Sequence, residues 1–445
     1  MYKISKYNII LADGEELLLF NSMQGSDSVC RVTADNADDV RKILEEETLS
    51  ELNDDISNIL YQKGYIITEK NDEKRQLEEK YVRMMTNRML RLIILPTEQC
   101  NFRCKYCYED FKRGKMSPQT QNSIVKFVQK NIQYFEGLRV SWFGGEPLLG
   151  MDVIRYLSDE FIKICKRTKR KYVSDMTTNG YLLSEKVLRE LLHYKVCEYQ
   201  ITIDGLRDVH NSKKPLVNGG ETFDVVINNL IDIKKNVKTQ MFKILIRNNV
   251  TRDAVEDMNE LTKYFHDLFG DDGRFSFFFR AAGDWGGKNR INEIKRIEDY
   301  EICDVYNNLI NSEKDLCVDI YKTFYGLGGC VCYAAFQSMF VIDSEGGLRK
   351  CTCGLDDDDY RIGYMSEKGE LVLDDEKHRR WIGNIVRFSD KCRDCKFLPM
   401  CFGATCPRSN MYECTDDNDI KCPTEWKYIQ QTLKLLEKRN TFTKI

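Results

Sequence analysis

The chain has 445 residues, with 67 Lys and Arg against 70 Asp and Glu, so its formal charge is −3 and it lacks the cationic excess that holds a nucleic acid or an anionic membrane. With 42% apolar and 31% charged residues it can bury sizeable cores and is not an intrinsically disordered chain; its length suggests about two to four domains. No run approaches the ~18 apolar residues of a membrane span, and the opening MYKISKYNII leads to acidic residues rather than an apolar signal core, so a soluble, cytoplasmic protein with neither membrane nor nucleic-acid partner is expected.

Residues 1–90 read as a small α+β module. Tyr7–Leu11 and Glu16–Phe20 are apolar runs either side of Asp13-Gly14, a hairpin signal. Asn36 leads a helix with Val40, Ile43 and Leu44 on one face; Leu52, Ile56, Ile59 and Leu60 recur at helical spacing in a second, which Gly64 ends. Tyr65-Ile66-Ile67 returns as a strand, a winged-helix-like order of elements, and charged Glu69–Lys80 is a helical or flexible connector. Over residues 91–310 short apolar strands alternate with helical stretches: Arg91–Leu95, Arg139–Phe143, Tyr172–Thr177, Tyr199–Ile203, Lys243–Ile246 and Phe275–Phe279. Six βα steps give an α/β fold, a partial (β/α)6 TIM-like barrel, whose functional groups belong at the strand C-terminal ends. Over residues 311–445 apolar periodicity fades and Cys, Gly and Asp dominate until a helix between Trp426 and Leu436, so bound metal centres take the place of a large core.

Of 18 cysteines, 11 lie between Cys317 and Cys422. Disulfides belong to oxidising compartments and usually to small secreted domains, which leaves metal or iron–sulfur ligation as the better reading. Cys100, Cys104 and Cys107 form CxxxCxxC directly after the first barrel strand, with aromatic Tyr106 beside the third. Three thiolates on one loop hold three irons of a cubane and leave the fourth open to bind and activate a molecule; a zinc site or three buried thiols is the bland alternative. Gly144-Gly145-Glu146-Pro147 follows the second strand, where glycines let backbone approach a ligand and Glu146 offers an acceptor for an ammonium group, or where the four make a tight turn. Thr177-Thr178-Asn179-Gly180 and Thr202-Ile203-Asp204-Gly205 close the next two strands. Arg280, Asp284 and Trp285 follow the sixth, as barrel-mouth residues or as a turn.

The cysteine loop resembles the radical S-adenosylmethionine (radical SAM) superfamily, whose signature is CxxxCxΦC with Φ aromatic. The resemblance implies a 4Fe–4S cluster on Cys100, Cys104 and Cys107 whose open iron chelates S-adenosylmethionine, and reductive cleavage to a 5′-deoxyadenosyl radical that abstracts hydrogen; the catalytic group is then the cluster itself. It also implies cofactor contacts from Tyr106, Gly144, Gly145, Glu146 (to the methionine amino group), Asn179, Thr202 (near the ribose or carboxylate) and Asp204. For Asn179 and Asp204, polar strand-end turns are an equal reading. Where relatives often carry an Arg for the cofactor carboxylate, this chain has Lys213-Lys214.

Cys332, Gly346 after 13 further residues, Cys351 after four more, then Cys392-x2-Cys395-x5-Cys401-x4-Cys406 and finally Cys414 and Cys422 resemble the SPASM extension of radical SAM peptide-modifying enzymes, with one residue more than usual before Cys406. That resemblance implies two auxiliary clusters, Cys332, Cys351 and Cys406 on the first and Cys392, Cys395, Cys401 and Cys422 on the second, three 4Fe–4S clusters in all. Cys330 and Cys353 stand two residues from matched positions, as a fourth ligand of the first or as unligated thiols; Cys414 competes with Cys422, and Cys422 is preferred because Pro423 and the closing helix follow it. A zinc ribbon is the competing reading of Cys392–Cys406. Cys30, Cys165, Cys197, Cys303 and Cys317 read as packed small hydrophobes, and the four His residues receive no role.

Such relatives act chiefly on peptides. The expectation is a maturase that installs an oxidative cross-link (thioether, carbon–carbon or carbon–oxygen) in a ribosomally made precursor peptide. Residues 1–90 would bind its leader by strand addition, and flavodoxin or ferredoxin would supply electrons. An anaerobic sulfatase maturase, which makes formylglycine, and a non-catalytic iron–sulfur carrier are the alternatives.

Overall fold

The computed structural model describes residues 1–86, 88–283, 294–297, 301, 329, 331–355, 357–383, 390–403, 406–408, 429–437 and 442–445. They fold into two compact units: Met1–Thr86 with Ile320–Ala335 and Gly383–Ile445, and Asn87–Asp319 with Phe336–Ile382.

The first unit opens with β1 (Tyr2–Ile4), the hairpin β2 (Asn8–Asp13) and β3 (Glu16–Asn21), and β4 (Cys30–Val32). Then come α1 (Ala34–Glu45), β5 (Thr48–Leu49), α2 (Asp55–Gln62), β6 (Ile66–Thr68) and α3 (Glu73–Met85). Gly14 turns the hairpin at φ +66°, a conformation strained for any residue with a Cβ. A capping box starts α2, where the Asp54 carboxylate accepts from the Ser57 N–H (2.6 Å) and the Ser57 hydroxyl from the Asp54 N–H (3.4 Å). The charged connector is a helix, α3: most of its charges lie outward, while Leu77 is buried and the buried Glu73 carboxylate accepts from the Ser5 hydroxyl and the Lys6 N–H. The strands make two sheets, β5-β1-β6 and one in which β4, β3 and β2 lie in that order; β1, β4 and β5, three residues or fewer each, were not foreseen.

In the second unit β7 (Met89–Ile94), α4 (Pro118–Asn131), β8 (Gly137–Trp142), α5 (Met151–Thr168), β9 (Lys171–Thr178), α6 (Glu185–His193) and β10 (Val196–Thr202) alternate strand with helix. After them come α7 (Arg207–Lys213), α8 (Phe223–Asn236), β11 (Lys243–Val250), α9 (Met258–Phe269) and β12 (Phe275–Ala281). Strands β7 to β12 lie side by side, parallel and in chain order. The crossover helices bury one face each; in α5 Val153, Ile154, Leu157, Phe161 and Ile164 recur at helical spacing. Beyond the six expected strands, β13 (Met339–Ile342) pairs parallel with β7, and β14 (Gly347–Arg349), β15 (Arg361–Met365) and β16 (Leu371–Leu373) extend the sheet antiparallel to ten strands. The result is a mixed α/β fold on a large parallel sheet, consistent with a TIM-like barrel.

The chain's last described elements return to the first unit. Helix α10 (Ile429–Glu437) meets the hairpin: Gln430 donates to the Ala12 carbonyl (2.7 Å), Lys434 pairs with Asp13 (2.5 Å), and Glu437 takes Arg31 through both carboxylate oxygens. Strand β17 (Thr443–Lys444) then pairs parallel with β4, so the second sheet runs β17-β4-β3-β2, and Ile445 is buried with Leu17, Leu19, Val32, Val40 and Tyr65. Among the described residues no helix is long and apolar enough to cross a membrane.

Candidate active site

The segment after β7 carries the three cysteines, and it is tied down on every side. Glu98 is buried; its carboxylate accepts from Arg113 (2.7 Å) and from the Ser344 hydroxyl (2.8 Å) beyond β13. The Gln99 amide donates to the carbonyls of Phe111 and Arg113, both at 2.7 Å, and closes the loop on itself. Arg103 lies 4.4 Å from the Phe111 ring, and Phe102 is fully buried against Tyr181. Backbone N–H groups of Arg103, Lys105 and Val217 reach across to Pro215, Lys213 and Asn101 at 2.9 Å, so the stretch after α7 pairs with the cysteine loop like a short strand.

The glycines after β8 serve this same loop. A Cβ on Gly144, at φ +110°, would stand 2.4 Å from the Thr97 carbonyl, and one on Gly145 would stand 2.5 Å from that of Gln99. The close approach anticipated for a ligand is made to the protein's own backbone. Glu146 is wholly buried, and its N–H donates to Gln99 (2.9 Å). Its carboxylate accepts from the Thr178 hydroxyl (2.8 Å), the Asn179 N–H (2.8 Å) and the Leu148 N–H (3.0 Å). Burial raises its pKa against the pull of those donors. A carboxylate offers about four acceptor positions, so one remains.

Asn179, closing β9, donates to Asn101 (2.8 Å) and lies 3.9 Å from the Cys100 sulfur. Tyr106 donates its hydroxyl to Asp204, itself fully buried after β10; Asp204 also accepts the Asn249 N–H (2.9 Å), and the Asn249 amide donates back to Tyr106 (3.2 Å). The loop residue beside the third cysteine is thereby locked to the ends of β10 and β11. Thr202, half-buried, ends β10 opposite Arg247 of β11. Besides Asn249, two further residues outside the expected set join this group. His210 is buried and its Nδ1 accepts the Asp204 N–H (3.2 Å), so the ring is neutral; burial and then the nearby Lys214 and Lys213 hold its pKa well below the ordinary value. Lys214, also buried, lies 5.9 Å from the Tyr106 ring; burial opposes its charge, but Cys104, Asp204, Cys100 and Cys107 together hold its pKa above the ordinary lysine value. Lys213 turns away to Thr251 and Asp253.

Burial first, and nearby carboxylates after it (Glu146 for Cys100, Asp204 for Cys104 against the pull of Lys214, Glu109 for Cys107), raise the thiol pKa values of all three, that of Cys100 to about 12. Uncompensated, these sulfurs would stay protonated; a bound cation is what makes them thiolates. Among the described residues no three His, Cys, Asp or Glu side chains close on one point as a single-ion site requires. A cubane differs, since it spreads three thiolates over three irons. Three sulfurs with a buried cationic Lys214 beside them, the Phe102 N–H donating to Cys100 (3.4 Å) and one acceptor position left on Glu146 suit a cluster with an amino-acid-like ligand.

Farther along, Cys332, Cys392, Cys395, Cys401 and Cys406 lie in the first unit, and Cys351 and Cys353 in the second, where the Cys353 N–H donates to the Cys351 sulfur (3.4 Å). Cys30 and Cys165 are buried core residues, Cys197 lies on β10 and Arg280 near the end of β12. Cys303, Cys317, Cys330, Cys414, Cys422, Asp284 and Trp285 fall outside the described residues.

Residues 94–262 match the radical SAM superfamily. That stretch is therefore a radical SAM domain, and S-adenosylmethionine and a 4Fe–4S cluster are the cofactors of that family. The chain is 24% identical to the radical SAM cyclopropyl synthase TigE of Paramaledivibacter caminithermalis over 60% of this chain and 67% of that one. It is also 24% identical to the cysteine-type anaerobic sulfatase-maturating enzyme of Clostridium perfringens over 75% and 92%. Its fold is similar to that of anSMEcpe with bound AdoMet and Cp18Cys peptide (TM-score 0.60, 20% identity, 79% of this chain and 97% of that one). It is similar as well to that of Streptococcus suis SuiB bound to precursor peptide SuiA (TM-score 0.55, 16% identity, 95% and 99%).

Proposed function

We propose that this enzyme matures a ribosomally made precursor peptide by installing an oxidative cross-link, a thioether or a carbon–carbon or carbon–oxygen bond. The observation that carries this is coverage. The fold shared with SuiB, solved with its precursor peptide, extends over 95% of this chain, whereas the fold shared with anSMEcpe leaves about a fifth of it unmatched, an amount comparable with Met1–Thr86. An extra small domain with sheet edges suits capture of an extended leader by strand addition.

In this reading Cys100, Cys104 and Cys107 ligate the cluster, and the cofactor bound there supplies a 5′-deoxyadenosyl radical for hydrogen abstraction. Glu146 gives its last acceptor position to the cofactor's ammonium. Lys214, rather than Lys213, meets the carboxylate, since it is the one beside the three thiols. Tyr106, Asp204 and Asn249 hold the cysteine loop in register with β10 and β11, while Asn179, Gly144, Gly145 and Thr202 complete the rim. The C-terminal cysteines would hold auxiliary clusters, which would supply a route for the electron lost in an oxidative cross-link, and flavodoxin or ferredoxin would be the external electron donor.

The expected behaviour is that a leader-bearing precursor is consumed roughly a hundredfold faster than its core peptide alone, the scale of gain from tethering. Equal rates remove leader capture from the reading. The relation to the sulfatase-maturating enzyme favours a second reading, formylglycine formation. Conversion of a sulfatase-derived Cys peptide, with the precursor untouched, selects it.

A further inference from the structure

Strands β10, β11 and β12 present two faces, since successive side chains of a strand point to opposite sides. One face is apolar and buried, with Ile201, Ile244, Ile246 and Phe277. Residues paired across a parallel ladder share a face, so the register sets Thr202, Arg247 and Phe278 in one row of the other face and Asn249 and Arg280 in the next. That face looks to the cysteine loop, because the Asn249 amide donates to the Tyr106 hydroxyl (3.2 Å).

Arg247 is half-buried on it. Its Nε donates to the Asn249 side-chain oxygen (2.9 Å), and its guanidinium stands 5.9 Å from the Phe278 ring. Among the described residues no carboxylate pairs with it, and Asp204 is engaged by the Tyr106 hydroxyl and the Asn249 N–H. Burial, and then the like charge of Arg280, hold the Arg247 pKa below the ordinary arginine value, against the pull of Tyr106 and Asp204. A cation kept from water beside a second cation, without a carboxylate of its own, costs folded stability and suits a ligand that brings negative charge. With Nε occupied, the two terminal NH2 groups remain, and a guanidinium grips the oxygens of a carboxylate in pairs.

We infer that Arg247 binds a carboxylate of the substrate, an Asp or Glu side chain or the C-terminus of the core peptide, and so selects which residue meets the radical. This rests on the proposed reading of the enzyme as a peptide maturase. In that reading Lys214, 5.9 Å from the Tyr106 ring, serves the cofactor carboxylate, which leaves Arg247 to the substrate. Asn249 joins Arg247 to the tyrosine of the cysteine loop, so a peptide gripped here is positioned beside the group that takes its hydrogen. Arg280, in the neighbouring row, adds positive charge to the same face.

The test measures kcat/KM of the anaerobically reconstituted enzyme with the precursor peptide encoded beside this chain. The same precursor is compared with versions in which each core Asp or Glu becomes Asn or Gln, or the C-terminus is amidated. In wild type one of these changes should lower kcat/KM about ten- to a hundredfold, the scale of a charge-assisted hydrogen-bonded pair, and its position tells side chain from C-terminus. In Arg247→Gln the same change should make no difference beyond about twofold, a ratio read within one enzyme and so unmoved by general damage to the variant. Arg247→Lys, which keeps the charge but not the fork, should shrink the ratio in the same direction. Three results overturn the inference while leaving the maturase reading standing: a wild type indifferent to every core carboxylate, a ratio undiminished in the two variants, or a loss of S-adenosylmethionine affinity in peptide-free Arg247→Gln as large as its loss in kcat/KM. A precursor that wild type leaves unaltered removes that reading, and the inference with it.

Discussion

At Gly144 the backbone leaves no room for a side chain, because the Thr97 carbonyl fills the place of a Cβ. Gly144→Ala is expected to cost about 1–3 kcal/mol in backbone strain and to push the cysteine loop from its seat. Thermal melting and iron content after reconstitution check it, and wild-type values for both would show that the loop does not lean on this contact. Glu146→Gln keeps the shape, and its amide oxygen can still accept from Thr178 and Leu148, but its NH2 then faces the Asn179 N–H, donor against donor, at a cost of about 2 kcal/mol. Equilibrium dialysis of S-adenosylmethionine against the reconstituted variant should show weakened binding. The strings CxxxCxxC, GGEP and TNG were legible because each is local. Asn249, His210 and the choice of Lys214 over Lys213 were not, since they depend on how β10, β11 and the stretch after α7 register against the loop.

In β7 to β12 buried positions largely alternate with partly exposed ones, and these short strands recur between helical stretches, which is why all six were legible. Strand β13 was not: its four residues lie far along the chain amid Cys, Gly and Asp, and only pairing with β7 makes them a strand. The same holds for β17, whose partner β4 is some four hundred residues earlier. Removal of Thr443–Ile445 should lower the melting temperature of the first unit, as it strips a strand from the sheet and Ile445 from its core. Arg31→Leu should do so by about 1–2 kcal/mol, since Asp13, Glu16 and Glu437 would be left without their shared cation. These holds also carry a pH signature. Hydrogen bonding to Lys434, and then to Arg31, keeps the Asp13 pKa below the ordinary carboxylate value. Its contribution is therefore complete above ~pH 4, the unfolded value, and is lost as pH falls through the lowered folded value. The protection of β17 amides from hydrogen exchange, relative to their intrinsic rates, should fall over that lower range in the metal-free protein and stay flat above it.

On the scale of the molecule, Met1–Thr86 is not a compact unit by itself. It forms one compact unit with Gly383–Ile445, the stretch that carries Cys392, Cys395 and Cys401. The boundary expected at residue 90 follows a change in sequence pattern, in which the return of β17 to β4 in the second sheet is not visible. Anaerobically reconstituted protein is expected to hold close to three 4Fe–4S clusters, and alanine at 100, 104 and 107 should remove one of them. A count near one would undo the auxiliary assignment and leave the radical SAM domain intact. The most direct test of the central claim is the mass of a precursor peptide, encoded beside this chain, after anaerobic incubation with enzyme, S-adenosylmethionine and reductant. The expected product is lighter by two hydrogens, with 5′-deoxyadenosine formed alongside it. An unchanged precursor, under conditions where the enzyme cleaves its cofactor and turns a sulfatase-derived cysteine into formylglycine, would contradict the claim.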